Sequence, residues 1–312
     1  MYIELGTLGG ATAVPWDINS LGHIVGFSEL DDDPLPVTHG FLWNNESMMD
    51  LPPLGGSQVP YSVALGINDV DVAVGTSQLA ISAQYRATVW DHGAIIDLGT
   101  LPGRLSSSAE AINNAGQIVG YCSFDHAGDS DQEAVLWQDG QIIELGPLEP
   151  PDPQSGHRWM TLPYDINDYG EIVCIGQTGW DSTECYIWHD GVITRFREFL
   201  PEDFDWTLGP AAINNAGQIA CTGRHPDVQY PRAFILTPPV CRGFPRGDAN
   251  CDGLVNNFDI DAFVLALSNV DRYAIDYAAC NWLCNLDINR DGAVNNFDID
   301  PFVTCVANGG CP

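Results

Sequence analysis

The chain contains no lysine: all eleven basic residues are arginines, set against 42 aspartates and glutamates for a formal charge of -31. An excess of that size repels phosphate backbones and anionic headgroups, which excludes nucleic acid and acidic membrane surfaces as partners. Divalent cations and neutral glycans stay open. No apolar run approaches the roughly 18 residues that a membrane-crossing helix needs, so no membrane span is expected. The start of the chain has neither the basic patch nor the hydrophobic stretch of a secretory leader. The seven histidines are scattered without a His-x-x-x-His pair, no serine or cysteine stands in a nucleophile context, and no glycine loop is built to cradle phosphate. Histidine-based metal chemistry, nucleophilic catalysis and phosphoryl transfer are left without support.

What the chain does have is repetition. AINNAGQI occurs from Ala111 to Ile118 and again, letter for letter, from Ala212 to Ile219. Weaker copies begin at Asp17, Gly66 and Asp165. With Ile18, Ile67, Ile112, Ile166 and Ile213 taken as equivalent, the spacings are 49, 45, 54 and 47 residues, a period that suits four short strands per unit. Each unit reads alike. A strand ends in Ile-Asn, a turn carries Gly or Asp, an alternating strand follows, and then a variable loop rich in Asp, Ser, Gly and Pro. The third strand is aromatic, and its Trp43, Trp90, Trp137 and Trp188 recur at equivalent places, as packing residues do. The fourth closes the unit at Asp50, Asp97, Glu144 and Arg197. Trp159, Trp180 and Trp206 lie outside that register and are candidates for binding.

The fifth unit stops after Leu236 without a fourth strand, whereas Glu4 to Leu8 is a fourth-strand motif with no unit in front of it. Joining the two hides both unpaired edges, so an all-β five-bladed propeller closed by the N-terminal strand is expected rather than a linear solenoid. The repeat, with Ala-Ile-Asn-x-x-Gly-Gln-Ile-Val-Gly, His39-Gly40-Phe41 or Arg232-Ala233-Phe234, and Asp-Leu-Gly-Thr-Leu, resembles the bacterial extracellular HAF repeat over residues 1 to about 239. The resemblance implies secretion and brings no chemistry with it.

Composition changes after Pro239. Residues 240–246 have linker content, and residues 247–312 carry two twelve-residue loops in identical register. Asp248, Asn250, Asp252, Asn256 and Asp259 occupy positions 1, 3, 5, 9 and 12 of the first, and Asp287, Asn289, Asp291, Asn295 and Asp298 repeat them 39 residues later. Oxygen donors at alternate residues suit a hard cation, so two calcium ions are expected, with the carbonyls of Leu254 and Ala293 at position 7 and Gly253 and Gly292 making the turn. Position 12 is Asp where the common form has Glu. Each loop runs into a helical face, with Ile260, Phe263, Val264 and Leu267 in one copy and Ile299, Phe302 and Val303 in the other. A loop followed by a helix, duplicated around an intervening helix near Tyr273 to Trp282, resembles the type I dockerin domain, a small α-helical duplicated F-hand. The resemblance implies docking to a cohesin-like partner through loop positions 10 and 11, here Asn257-Phe258 and Asn296-Phe297, where many dockerins carry Ser or Thr.

Ten cysteines, six of them after Pro239, favour disulfides and a secreted, extracellular or cell-surface location. Cys122, Cys174, Cys185 and Cys221 in the repeats are likewise expected to pair. On the inner strands, Asp17, Glu110 and Asp165, with Trp16 and Tyr164 beside them, are candidate ligand-binding residues. The chain therefore reads as a non-catalytic binding and scaffolding protein with a calcium-dependent docking module. The alternatives are a glycoside hydrolase acting on polysaccharide, with carboxylates around the axis, and a purely structural surface protein.

Overall fold

A computed structural model describes the chain apart from residues 1, 32–36, 56–60, 80–83, 125–131, 151, 153, 155–157, 181, 202, 238–245, 278–284, 287, 290–293 and 312. Its contacts divide it into two compact units, Met1–Leu236 and Thr237–Pro312.

The first unit is all-β, with five separate antiparallel sheets that follow one another along the chain. Sheet one holds β1 (Ala13–Ile18), β2 (Ile24–Glu29), β3 (Thr38–Trp43) and β4 (Met48–Leu51). Sheet two holds β5 (Ser62–Ile67), β6 (Ala73–Gln78), β7 (Tyr85–Asp91) and β8 (Ala94–Asp97). Sheet three holds β9 (Ser106–Ile112), β10 (Ile118–Ser123), β11 (Glu133–Gln138) and β12 (Gln141–Glu144). Sheet four holds β13 (Thr161–Ile166), β14 (Ile172–Gly179), β15 (Ser182–His189) and β16 (Val192–Arg195), and sheet five holds β17 (Thr207–Ile213), β18 (Ile219–Arg224) and β19 (Arg232–Leu236). Successive sheets touch through their first strands, β1 with β5, β5 with β9, β9 with β13 and β13 with β17.

The Ile-Asn turn of each repeat explains both the turn and the spacing of the sheets. In unit three, Asn113 Oδ1 accepts the N–H groups of Ala115 and Gln117 at 3.1 and 2.9 Å, closing its own turn. Its Nδ2 donates to the carbonyl of Asn167 in the next unit at 2.9 Å. The same bridge runs from Asn19 to Asn68, from Asn68 to Asn113 and from Asn167 to Asn214. One residue further on, the N–H groups of Ser20, Asp69, Asn114 and Asp168 donate to the side-chain oxygens of Asp69, Asn114, Asp168 and Asn215 in the following unit. An amide sets an acceptor and a donor on two separate atoms of one short side chain, facing opposite ways, so this asparagine specifies the scaffold.

Apolar side chains fill the space between sheets. Trp43, Trp90, Trp137 and Trp188 are all buried. The indoles of Trp90 and Trp137 donate to the carbonyls of Pro52 and Leu98, which pins the segment leaving one sheet onto the next. The structure moves the fourth strand relative to expectation: it precedes the Asp-Leu-Gly-Thr-Leu motif, and the motif itself is the exit. Gly6, Gly99 and Gly146 of this motif all take φ near +80° (80°, 76° and 81°), a left-handed conformation that favours glycine.

The N-terminal expectation also needs correction. Among the described residues sheet five has three strands, and Glu4 to Leu8 joins no sheet. Leu8 instead donates its N–H to Ser28 Oγ at 2.9 Å, as Leu54 does to Ser77 Oγ and Leu101 to Cys122 Sγ. The segment thus behaves as an exit, because its motif is the exit part of the repeat.

Cys122, Cys174, Cys185 and Cys221 are buried free thiols, not the disulfides expected of them. Strand geometry sends each into apolar packing, two of them, Cys185 and Cys221, in one cluster with Ile187 and Ile219. Burial pushes the Cys122 and Cys221 thiols up to about 11 and that of Cys185 to about 12.

In the second unit, single turns of 3-10 helix at Asn257–Asp259 and Asn296–Asp298 lead into α1 (Ile260–Ser268) and α3 (Ile299–Asn308), and α2 (Val270–Asp276) lies between. The intervening helix begins earlier than the sequence suggested, and residues 278–284 lie outside the described set. Phe263 and Phe302, equivalent in the duplication, stack at 3.9 Å and 6° in a core with Ala262, Ala266, Tyr273 and Leu286. The expected helical faces split: Phe263 and Phe302 turn inward, while Ile260, Val264, Ile299 and Val303 are exposed. Cys305 and Cys311 form a disulfide and Cys251 is disulfide-bonded; Cys241, Cys280 and Cys284 lie outside the described residues.

Candidate functional site

In each first strand the ladder to the second strand skips one residue. The skipped residues are Trp16, Leu65, Glu110, Tyr164 and Ala211, at the same position of all five repeats. A bulge leaves its extra residue unpaired and re-aims the side chain. The backbone device is therefore common to the units, while the chemistry it presents differs in every one. Trp16 is 57% exposed and Tyr164 43% exposed, high values for large aromatics on the first strands, through which successive sheets touch.

Trp16 and Glu110 open into a cavity of about 520 Å³ whose walls include Tyr61, Tyr85, Tyr121 and Ser108. That volume lies within the usual range for small-ligand sites. Tyr61 and Tyr85 meet edge to face at 5.5 Å. Ser108 Oγ donates to Glu110 Oε1 at 2.6 Å and lies 2.5 Å from Thr76 Oγ1. Among the described residues no lysine, arginine or histidine lines the cavity. Burial raises the Glu110 carboxyl above the ordinary range, opposed by the Ser108 hydrogen bond. Tyr121 is raised by burial and then by the charge of Glu110, and Tyr61 by burial, Tyr85 and Glu110.

The other sequence candidates are placed differently. Tyr164 holds the same bulge position but is not a wall of this cavity; burial raises its phenol, and Cys185 and Glu110 add to the shift. Asp17 and Asp165 are committed to backbone. Asp17 Oδ1 accepts from Ile18 and Oδ2 from Ile67 of the next strand, at 2.8 and 2.9 Å. Asp165 does the same with Ile166 and Ile213, both at 2.8 Å. Burial pushes Asp165 up to about 6, against the N–H groups of Ile213 and Ile166, and the like charge of Asp17 adds to the rise. Burial also raises Asp17.

Sequence reasoning missed Tyr61, Tyr85 and Tyr121. Phe27, Thr76 and Tyr121 all line the cavity and each follows the glycine of its second strand, at Gly26, Gly75 and Gly120. That second position of disagreement between units was the available signal. Of the tryptophans outside the repeat register, Trp159 is buried and donates to the Pro150 carbonyl. Trp206 packs on Phe234, and Trp180 is exposed beside Trp159 at 5.6 Å.

In the second unit, Asp248, Asp259 and Asp298 are fully buried. Asp259 Oδ1 accepts from Ala249 and Asn250 and Oδ2 from Asn256, and Asp298 repeats this with Ile288, Asn289 and Asn295. Asp248 accepts from Asp252 and Gly253, and Gly253 has φ of +90° at the turn. Burial raises Asp248, with the charges of Asp259 and Asp252 adding. Among the described residues no basic side chain pairs with these three carboxylates, and no three acidic, histidine or cysteine side chains converge as a metal cage. Leu254 is exposed, and Asp287, Asp291 and Ala293 of the second loop lie outside the described residues. Asn257 and Asn296 are exposed, and Phe258 and Phe297 are 79% and 78% exposed.

No protein-family model matches the chain, and no curated protein does. Among solved structures it is similar to a mutant Aleuria aurantia lectin in complex with Fucalpha1-6GlcNAc, with 12% identity, 74% of this chain and 80% of that one covered, and a TM-score of 0.35. It is also similar to a mutant of AofleA from Arthrobotrys oligospora, with 13% identity, 72% and 67% covered, and a TM-score of 0.32. A third is the endo-arabinase from Bacteroides thetaiotaomicron, with 12% identity, 71% and 91% covered, and a TM-score of 0.31.

Proposed function

We propose that the chain is a secreted binding protein whose first unit holds saccharide in the aromatic cavity and whose second unit docks it to a partner. The observation that carries the first half is the bulged position. Five identical backbone devices present Trp, Leu, Glu, Tyr and Ala, so the fold requires none of these side chains and their variation is free to serve a ligand. Aromatic faces with interleaved hydroxyls and one carboxyl are what a sugar ring needs for stacking and hydrogen bonding.

The five sheets are read here as blades of a ring of HAF-type repeats. Support comes from the Asn bridge, which repeats at each of the four junctions, and from Leu8, which docks on sheet one as Leu54 and Leu101 dock on sheets two and three. A hydrolase is the second reading, favoured by the raised Asp165 and its coupling to Asp17; the commitment of both to backbone N–H groups speaks for binding. A polysaccharide panel scored for retention and reducing-sugar release separates the two. Retention without release is expected, release establishes the hydrolase, and neither overturns both.

The second unit is read as a dockerin-like module. Buried Asp248 and Asp259, with no basic partner among the described residues, fit a divalent cation. Asp248, Asn250, Asp252, Asn256, Asp259 and the Leu254 carbonyl would hold one calcium, and Asn289, Asn295 and Asp298 belong to the second set. Bound calcium would neutralise these carboxylates and order the loops that lead into α1 and α3. The paired Phe258 and Phe297 would then be presented, beside Asn257 and Asn296, to a cohesin-like or other docking protein. EDTA is expected to make this unit sensitive to protease while the first unit stays resistant. Indifference to EDTA would remove the calcium reading.

A further inference from the structure

Glu110 is a carboxyl that the fold does not need. The equivalent bulge residues are Trp16, Leu65, Tyr164 and Ala211, so no shared hydrogen bond or charge is satisfied there. Among the described residues it is also a carboxyl without a cation. Of the seven arginines of the first unit, Arg86 meets Asp97, Arg104 and Arg158 meet Glu133, and Arg195 and Arg197 meet Glu184; Arg224 and Arg232 stand on β18 and β19, and none of the seven lines the cavity. Among the described residues, only the hydroxyl of Ser108 hydrogen-bonds to Glu110.

Glu110 is half-buried; taking a carboxyl even partly out of water with no counter-charge is costly, and structural buried carboxyls are paired for that reason. A position that tolerates Leu and Ala would shed that cost if the carboxyl served only the fold. The walls around it are Trp16, Tyr61, Tyr85 and Tyr121. Aromatic faces carry negative electrostatic potential and attract ammonium groups, most strongly where water is excluded. A surface charge of -31 further enriches cations near the entrance.

We propose that the ligand supplies the missing charge: the cavity takes a 2-amino-2-deoxy saccharide whose ammonium group lies between Glu110 and the aromatic walls. This rests on the saccharide reading above and names its substrate class. A neutral sugar would leave a desolvated carboxyl uncompensated, and a uronic acid would place a second negative charge against it.

The test titrates the full chain, by intrinsic tryptophan fluorescence and calorimetry at physiological ionic strength, with glucosamine oligosaccharides, their N-acetylated counterparts and tetramethylammonium chloride. The ammonium is kept protonated throughout. The cationic oligosaccharide is expected to bind at least about tenfold more tightly than the N-acetylated one. Glu110→Gln, nearly isosteric, is expected to bring that ratio close to one, a loss typical of a charge-assisted contact. Equal or tighter binding of the N-acetylated form overturns the inference and leaves the saccharide reading standing. If neither saccharide binds, the saccharide reading falls and tetramethylammonium decides: saturable binding that Glu110→Gln abolishes upholds a cation site, and its absence overturns that too. A matched urea midpoint for Glu110→Gln shows that the variant is folded.

Discussion

Asn113→Ala measures how much the repeat asparagine contributes. Asn113 is 3% exposed and its side chain makes four hydrogen bonds: from Ala115 and Gln117 N–H to Oδ1, and from Nδ2 to the Asn167 carbonyl and Gln117 Oε1. Truncation leaves Ala115 at an exposed turn, where water replaces the lost acceptor. The Gln117 N–H and the Asn167 carbonyl are held inside the junction. Each stranded buried group costs about 1 to 3 kcal/mol, which sets the expected loss at about 2 to 6 kcal/mol, centred near 4. Eight of the nine tryptophans precede residue 237, so urea unfolding followed by fluorescence reports on this unit. With a urea slope near 3 kcal/mol/M, the upper end of the usual range, a 4 kcal/mol loss lowers the midpoint by roughly 1.3 M. Asn114→Ala, one residue along and exposed, is the control and is expected to cost less than about 1 kcal/mol. Asn113→Asp keeps the turn acceptor but turns an oxygen toward the Asn167 carbonyl, so it separates turn closure from the bridge between units. A cost below about 1 kcal/mol for Asn113→Ala, or equal costs for Asn113 and Asn114, would refute the reasoning.

Phe302→Ala removes half of the stack with Phe263 and is expected to cost about 3 to 5 kcal/mol. Because a unit of this size has only about that much stability, loss of its helical circular dichroism and of its protease resistance should follow. Trp16→Ala should weaken saccharide retention at least about tenfold without moving the urea midpoint, since the indole is exposed; unchanged retention would detach Trp16 from the cavity's function. Asp165, pushed up to about 6 by burial from an unfolded value near 3.8, takes up its proton in the folded chain first. Its contribution is therefore fully present below about 3.8 and lost as pH rises through 6, at most roughly 3 kcal/mol by linkage. Asp165→Asn should flatten the stability profile in that window, and an unchanged slope would contradict the shift.

Much of the scaffold was legible along the chain because its determinants are local. Asn113, Gly116 and Gln117 close a turn among themselves and repeat at a constant period, and Gly253 stands where the loop needs a left-handed residue. The exit motif was misread as a strand because Leu-Gly-Thr-Leu has strand-like composition, while only backbone pairing with Gln141–Glu144 or Ala94–Asp97 reveals where the ladder ends. The cysteines misled for a similar reason: an even count says nothing about whether two side chains meet.

The candidate site was half visible. Trp16, Glu110 and Tyr164 were named from their inner-strand position, but Asp17 and Asp165 looked equivalent to them until the ladder was known. A one-residue skip decides which of two adjacent side chains faces the cavity and which grips the neighbouring backbone, and no composition or period records that skip. Tyr61, Tyr85 and Tyr121 come from three different strands or strand ends, brought together only by packing. The sequence by itself determined the number of units, their turns and the duplicated acidic loops, since these rest on contacts within a few residues. Tertiary structure alone decided that five bulges point one variable residue each out of the ladder, that a carboxyl stands among aromatics with no cation among the described residues, and that four cysteines remain thiols. Those outcomes depend on which distant surfaces meet.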